Sequence, residues 1–258
     1  MSDLREINAR DTKVRFALVF GALFVLITTV LAVRWQIGDM LATLTPDTDP
    51  NIADIAAIAT RFAPGDPAAH VLKAKVAENP AETIAAFEEA VRLSPYDFRW
   101  RTELGRAYEQ DDRHEEAEQQ LKKAVELAPS YSAARWQLGN FYLRRERPSE
   151  AFTELKIAAE NSIKYREQVF SLIWDYSGKN PAVLEKFAGD RGDMRARLAY
   201  FFAARGKAEE ALRNWNYLSD TDKAKNMSIA KSISLGLFDQ KHFRESLEFA
   251  RQYGAETE

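Results

Sequence analysis

The sequence predicts an all-α fold, in which a single transmembrane helix precedes an α-solenoid of repeated helix pairs. Three observations support this prediction. Residues 16–33 form an apolar stretch without a charge. A pattern of small and large apolar residues occurs twice over Phe98–Tyr165, with a period of 34 residues. Ala, Leu, Glu, Lys and Arg are abundant, whereas Gly and Pro number only 11 and 9 among 258 residues, a composition that favours helix.

The composition narrows the class of protein and of partner. With 46% hydrophobic and 29% charged residues, the chain is globular rather than disordered. The net charge of -3, from 36 basic and 39 acidic side chains, argues against a nucleic-acid partner, because such proteins usually have a clustered basic surplus. The absence of cysteine excludes disulfides, thiolate metal sites and thiol catalysis, and it leaves the compartment open.

The apolar stretch has the length of a membrane span. Its 18 residues would extend about 27 Å as a helix, close to the roughly 30 Å hydrocarbon core of a bilayer. Arg34 and Trp35 follow it, and both suit the headgroup level. We therefore predict a transmembrane helix over residues 16–35 that acts as a signal anchor. The alternative is a cleaved signal peptide with Val30 and Ala32 before the cut, although such an apolar region is usually about 7–15 residues long.

The basic residues beside this stretch predict its orientation. Residues 1–15 contain four basic side chains, whereas Arg34 is the only one on the other side before Arg61. Basic flanks stay in the cytoplasm, so we expect a cytoplasmic N-terminus and an extracytoplasmic repeat domain. In a bacterium this places the anchor in the inner membrane and the repeats in the periplasm.

Proline residues suggest where the repeat domain begins. Residues 36–50, with Pro46 and Pro50 as helix breakers, are predicted to be a juxtamembrane linker. The repeat domain then spans residues 51–258. Its first helix, from about Asn51 to Phe62, resembles the second helix of a repeat whose first helix is missing, and it would form the N-terminal cap.

The repeated pattern defines one helix–turn–helix unit. Leu104, Gly105, Tyr108, Ala117, Leu121 and Ala124 recur as Leu138, Gly139, Tyr142, Ala151, Leu155 and Ala158. A glycine and an alanine on paired helices allow the helices to approach closely. The pattern resembles the tetratricopeptide repeat, and the resemblance implies a right-handed superhelix whose first helices line a concave groove.

Weaker copies extend the array on both sides of this stretch. We predict six helix pairs, at about 67–97, 98–131, 132–165, 166–191, 192–226 and 227–254, where the displacement of the later units varies between 28 and 35 residues. Residues 255–258 are too short to form a capping helix. The end of the array is therefore a candidate docking surface.

When the repeats are aligned, equivalent positions form columns, and these columns predict which side chains face the groove. The candidate protein-binding or peptide-binding residues are Arg99, Thr102, Arg106, Trp136, Asn140 and Arg144. By resemblance, peptide-binding members of the family use an asparagine in the column of Asn140 to hold a peptide. The preceding unit has Arg106 in that column and the full set of lysines is missing, so a clamp for a terminal carboxylate is not favoured. Trp136 is a candidate contact for a peptide or a glycan.

The sequence offers no credible catalytic constellation. Its three histidines lack metal-ligand spacing, and no phosphate-binding loop, nucleophile elbow or kinase signature occurs. We therefore expect no catalytic residue, no metal and no cofactor. Trp174 and Trp215 replace packing residues of the pattern and are expected in the core.

These observations favour a non-enzymatic, membrane-tethered scaffold. Its partner would be a protein or peptide in an envelope assembly, export or biogenesis complex. Two alternatives remain: a glycan-handling module of polysaccharide export or cell-wall synthesis, and an accessory subunit of a membrane enzyme.

Overall fold

The computed structural model describes residues 12–253, which form fifteen helices and no strand. The all-α fold class predicted from the sequence, built of helix pairs, is confirmed. The chain divides into two compact units, of which one ends at Leu127 and the other starts at Ala128. Most of the predicted basic N-terminus, and the predicted chain end at 255–258, lie outside the described residues.

In the part of the first unit that the structure describes there are six helices, several of which begin at a proline or an Asx cap. They are α1 Thr12–Leu44, α2 Ile52–Phe62, α3 Pro67–Lys75, α4 Pro80–Leu93, α5 Phe98–Gln110 and α6 His114–Leu127. Pro67 and Pro80 occupy the first helical turn, where a missing N–H costs no hydrogen bond. Asp66 and Asn79 cap the same two helices by accepting a backbone N–H.

The second unit contains nine helices in the described residues. They are α7 Ser132–Arg144, α8 Pro148–Asn161, α9 Ile163–Tyr176, α10 Pro181–Ala188, α11 Gly192–Ala203, α12 Ala208–Asn216, α13 Asp220–Lys225, α14 Met227–Asp239 and α15 Phe243–Tyr253. Helix α9 begins three residues before the predicted repeat boundary at 166. The short helix α13 was not predicted, and it adds to the length of its repeat.

The regular pairs pack as the repeated glycines predict. A Cβ on Gly105 would lie 2.8 Å from Leu121 Cγ, and one on Gly139 would lie 2.7 Å from Leu155 Cγ. Real Cβ atoms do not approach other atoms so closely, so each pair depends on glycine at its crossing point. Ala117 is fully buried on the facing helix. The predicted close approach of the paired helices is confirmed.

The first helix pair differs from its prediction, because α1 supplies the helix that was expected to be missing. Gly38 is buried against α2, and a Cβ there would lie 2.6 Å from Ala63 Cβ and 3.0 Å from the Ala59 oxygen. Residues 36–44, expected to belong to a linker, are therefore helical and packed. The reason is that the first proline after the apolar stretch is Pro46, so nothing stops the helix earlier.

In the regular repeats, an arginine of the first helix bonds to the chain connection before it. Arg135 Nε donates a hydrogen bond of 2.9 Å to the Pro129 oxygen, and its Nη1 donates to Glu154 on the paired helix. Arg101 makes the same two contacts, to the Pro95 oxygen and to a side chain nineteen residues later. These bridging arginines close each pair at the end opposite its internal turn.

The bridge has further copies in the less regular repeats. Arg195 Nε donates to the Gly189 oxygen at 2.6 Å, and its Nη1 donates to Asn214 at 2.7 Å. In the α3 repeat His70 takes the same place, with Nε2 at 2.9 Å from the Pro64 oxygen. His70 therefore has a structural role.

Aromatic side chains fill the core of the second unit. Trp174 packs edge-on against Phe202, with ring centroids 5.8 Å apart, and is 6% exposed. Trp215 is fully buried and contacts Phe249 at 5.5 Å. Both tryptophans lie in the core, as predicted.

Candidate protein-binding surfaces

In the second unit, the candidate residues of α7 lie beside an aromatic residue of α9. Trp136 packs against Tyr165 with ring centroids 5.9 Å apart and planes tilted by 46°. Both side chains are half-buried, so an edge of each ring stays accessible. Helices α7 and α9 are the first helices of consecutive repeats, and the repeat pattern predicts that such helices line the groove. Trp136 and Tyr165 thus form an apolar platform on this predicted groove wall.

Asn140 stands one turn after Trp136 on α7. Its Nδ2 donates a 2.8 Å hydrogen bond to the Trp136 carbonyl. This bond holds the amide at the platform while the side chain remains partly accessible, so Asn140 can present its oxygen to a ligand N–H. Arg144 is exposed at the last turn of the same helix.

Tyr165 was not among the predicted site residues. The sequence placed it at the end of the 132–165 unit, whereas it belongs to the first turn of α9. Burial raises the pKa of the Tyr165 phenol, and the neighbouring Tyr131 adds to the effect. Tyr165 is therefore a neutral hydrogen-bonding group at physiological pH.

Charged side chains connect the next two first helices, α9 and α11. Arg197 forms an ion pair of 2.6 Å with Glu167, and its guanidinium lies 5.3 Å from the Tyr200 ring centroid. The sequence reasoning also missed these residues, because the spacing of the repeats changes here to 28 residues. The first helices of the second unit thus provide an aromatic platform, an amide and a charged pair.

In the first unit, the three candidate residues of α5 have different surroundings. Arg99 is exposed, pairs with Asp97 at 2.6 Å, and lies 4.9 Å from the Trp100 ring centroid. Arg106 is exposed and pairs with Glu103 at 2.9 Å. Thr102 is only 8% exposed, and its hydroxyl donates to the Phe98 oxygen, so it stabilises the helix more than it offers a contact.

No group of three or more His, Cys, Asp or Glu side chains among residues 12–253 is placed to hold a metal ion. His242 Nε2 lies 3.1 Å from the Gly206 oxygen, a contact between a side chain and the backbone that is structural. Helix α1, in the described part of the chain, is the one helix long and apolar enough to cross a membrane. A signal sequence near an N-terminus would have the same properties.

Comparison with protein families identifies the central repeats. A family profile described as Tetratricopeptide repeat matches residues 69–132 and again residues 104–165. Among curated proteins, no match is found.

Several solved structures are similar at the level of helix pairs. One, titled as a functional characterization of Pseudomonas aeruginosa pilF, is 14% identical, with 89% of this chain and 94% of that chain covered and a TM-score of 0.44. The structure titled YrrB, a TPR protein with an unusual peptide-binding site, is 14% identical, with 77% and 90% covered and a TM-score of 0.38. A structure of MamA is 18% identical, with 67% and 90% covered and a TM-score of 0.31.

Proposed function

We propose that the chain, whose residues 69–165 match a Tetratricopeptide repeat profile, is a membrane-tethered scaffold that binds an extended segment of a partner protein. The observation that supports this most directly is the platform of Trp136 and Tyr165, with Asn140 one turn away. Trp and Tyr side chains are enriched among the residues that carry most of the binding energy at protein interfaces. An asparagine beside them can bond a peptide backbone on both its donor and its acceptor side.

The tether is the second part of the proposal. The apolar side chains of residues 16–33 are exposed along α1, as a helix surrounded by lipid requires. With the basic flank of residues 1–15 in the cytoplasm, the repeats lie outside it, in the periplasm of a bacterium. The scaffold would serve an envelope assembly, export or biogenesis complex and contribute no catalytic residue.

Site-specific photo-cross-linking in cells tests the binding face. A photoreactive residue replaces Gln168, which is exposed on α9 one turn from Tyr165. The control position is Tyr176, which is exposed near the end of the same helix, where it contacts Phe152 instead. We expect a discrete protein adduct from position 168 that disappears in the Trp136→Ala variant, and none from position 176. Equal adducts from both positions, or an adduct insensitive to Trp136→Ala, would contradict the assignment.

The two alternatives make different predictions for the same surface. A glycan-binding module would show a sugar-dependent change in tryptophan fluorescence that is lost on replacing Trp136 with Phe. An accessory subunit would co-purify with a membrane enzyme after mild solubilisation whether or not Trp136 is intact. Neither alternative has a structural observation of its own in its favour.

A further inference from the structure

Helix α1 connects the apolar stretch to the first helix pair without a break. Val33 ends the apolar stretch, and Gly38 is already packed against α2. The two positions are five residues apart, which corresponds to about 7.5 Å along a helix. The helix contains no proline that could act as a hinge. The first unit is therefore held at a fixed, short distance from the apolar stretch.

The end of α2 also lies at the boundary of the apolar stretch. Arg34 donates a hydrogen bond to the Arg61 carbonyl, and its guanidinium lies 5.4 Å from the Phe62 ring centroid. These contacts place the connection between α2 and α3, residues 63–66, beside the part of α1 that leaves the apolar stretch.

A second connection lies at the same end of the first unit. Consecutive helices of a repeat run in opposite directions, so the α4–α5 connection, residues 94–97, lies at the same end of the first unit as the α2–α3 connection. The equivalent contacts of His70 and Arg101 with these two connections confirm the correspondence. Tyr96 in the second connection is 82% exposed, an unusual state for an aromatic residue within a folded unit.

The two ends of the first unit differ in charge. The connections at the far end, residues 45–51, 76–79 and 111–113, contain five carboxylates and one basic residue, Arg113. The two connections near the apolar stretch contain only Asp66 and Asp97, and both cap helices by accepting backbone N–H groups. Arg34 and Arg61 add positive charge at the near end. By these residues the near end has no net charge, whereas the far end has a net charge of -4, so an anionic surface repels the near end less.

We propose that this near edge of the first unit, formed by residues 63–66 and 94–97 with Arg34 and Arg61, rests on the phospholipid headgroup layer of the membrane that α1 crosses. The headgroup layer is about 5–8 Å thick in each leaflet, which matches the distance between Val33 and Gly38 along α1. Tyr96 then lies at headgroup level, where amphipathic aromatic rings are favoured. The inference rests on the membrane tether proposed above.

Nitroxide labels on the full chain test the contact, because the chain has no native cysteine. Three single variants, Phe24→Cys, Tyr96→Cys and Gln110→Cys, are labelled in nanodiscs of phosphatidylethanolamine and phosphatidylglycerol. Gln110 is the matched control, since it is exposed at the opposite end of α5. The measurement is the collision rate of each label with oxygen and with a water-soluble nickel chelate.

We expect the label at position 96 to be several-fold less accessible to nickel than the label at position 110. Equal nickel accessibility at the two positions would overturn the inference. The label at position 24 separates this outcome from failure of the tether, because it reports on hydrocarbon directly. If position 24 is rich in oxygen collisions while position 96 is aqueous, the tether stands and the surface contact is wrong. If position 24 is also aqueous, the tether itself fails.

Discussion

The bridging arginine of the second unit offers the sharpest test of how the helix pairs are held together. Arg135 reaches the Pro129 carbonyl with Nε and Glu154 with Nη1, and the side chains of the ion pair are only 15% and 16% exposed. The Arg135→Ala substitution removes both bonds. It also leaves Glu154 partly buried without its cation, which costs more than the bonds themselves contributed.

The expected loss of stability follows from these contacts. A hydrogen bond to a charged group contributes about 1.5–3 kcal/mol to stability. Solvent still reaches the Arg135–Glu154 pair and weakens its contribution, so we expect Arg135→Ala to cost about 2–3 kcal/mol in all. For a domain of this size 1 kcal/mol corresponds to about 2–4 °C, so the melting temperature should fall by about 5–10 °C. Arg135→Lys should recover part of the loss, because a lysine can pair with Glu154 but cannot bind both partners as a planar fork.

Circular dichroism of the detergent-solubilised full chain during heating measures this change. The matched control is Arg92→Ala, since Arg92 is 67% exposed and pairs with Glu89 on the same helix. A surface pair of this kind is worth less than about 1 kcal/mol. The reasoning is refuted if Arg135→Ala lowers the melting temperature no more than Arg92→Ala does. It is also refuted if Arg135→Ala and Glu154→Ala are strictly additive, because residues in one bridge should be coupled.

Four further substitutions test the packing, the caps and the turns. Gly139→Ala should lower the melting temperature, because its Cβ would lie 2.7 Å from Leu155 Cγ and overpacking costs about 1–3 kcal/mol; an unchanged value would contradict the close crossing. Burial raises the pKa of Asp66, so the folded state binds the carboxyl proton more tightly than the unfolded chain does. The stability of the native chain therefore declines as the pH rises through this raised pKa. Asp66→Asn, which cannot ionise, should gain stability relative to the native chain between about pH 3 and 7. Asp97 is the equivalent cap of α5, and its hydrogen bond and ion pair with Arg99 lower its pKa. Asp97→Asn should therefore lose stability at pH 7 and match the native chain in acid. Melting temperatures measured across this pH range, as differences from the native chain, should change in opposite directions for the two variants. Glu146 has φ of 56°, so Glu146→Gly should raise the melting temperature by relieving about 1 kcal/mol of backbone strain, and a lower value would show that its side chain matters more.

The sequence was most informative where the repeat is regular. Two copies at the same period showed that Gly105 and Gly139 share a column, and a column of small residues can only mean close packing of paired helices. The contacts of both glycines with a leucine on the facing helix confirm this inference. The platform residue Trp136 was also found through its column, although its function stays a prediction.

The bridging arginines were missed for a physical reason. Arg101 and Arg135 share a column, but a polar residue in a column has no hydrophobic periodicity to mark it. Their main acceptor is a backbone carbonyl, which no sequence pattern identifies. The fourth copy uses His70, so even the residue type changes while the hydrogen bond to the connection persists.

Tyr165 was missed because the repeat boundary was placed three residues too late. The period of 34 residues assigned it to the end of one unit, where an aromatic residue would be a loop residue. The structure begins α9 at Ile163, which puts Tyr165 in a first helix and against Trp136. A displacement of less than one helical turn thus changed a loop residue into half of the candidate platform.

The junction between α1 and α2 shows why hydropathy alone misplaces a domain boundary. Hydropathy divides α1 near Arg34, where charge first appears, and proline would place the start of the repeats after Pro50. The packing agrees with neither boundary. Gly38 is buried against Ala59 and Ala63, so the segment after the apolar stretch belongs to the first helix pair. One helix therefore serves both the proposed tether and the repeat domain. Since a helix transmits its orientation along its axis, the pair that α1 and α2 form cannot turn independently of the apolar stretch. With the proposed tether in a membrane, the first unit would therefore stand at a set height and angle above it, which a flexible linker could not provide.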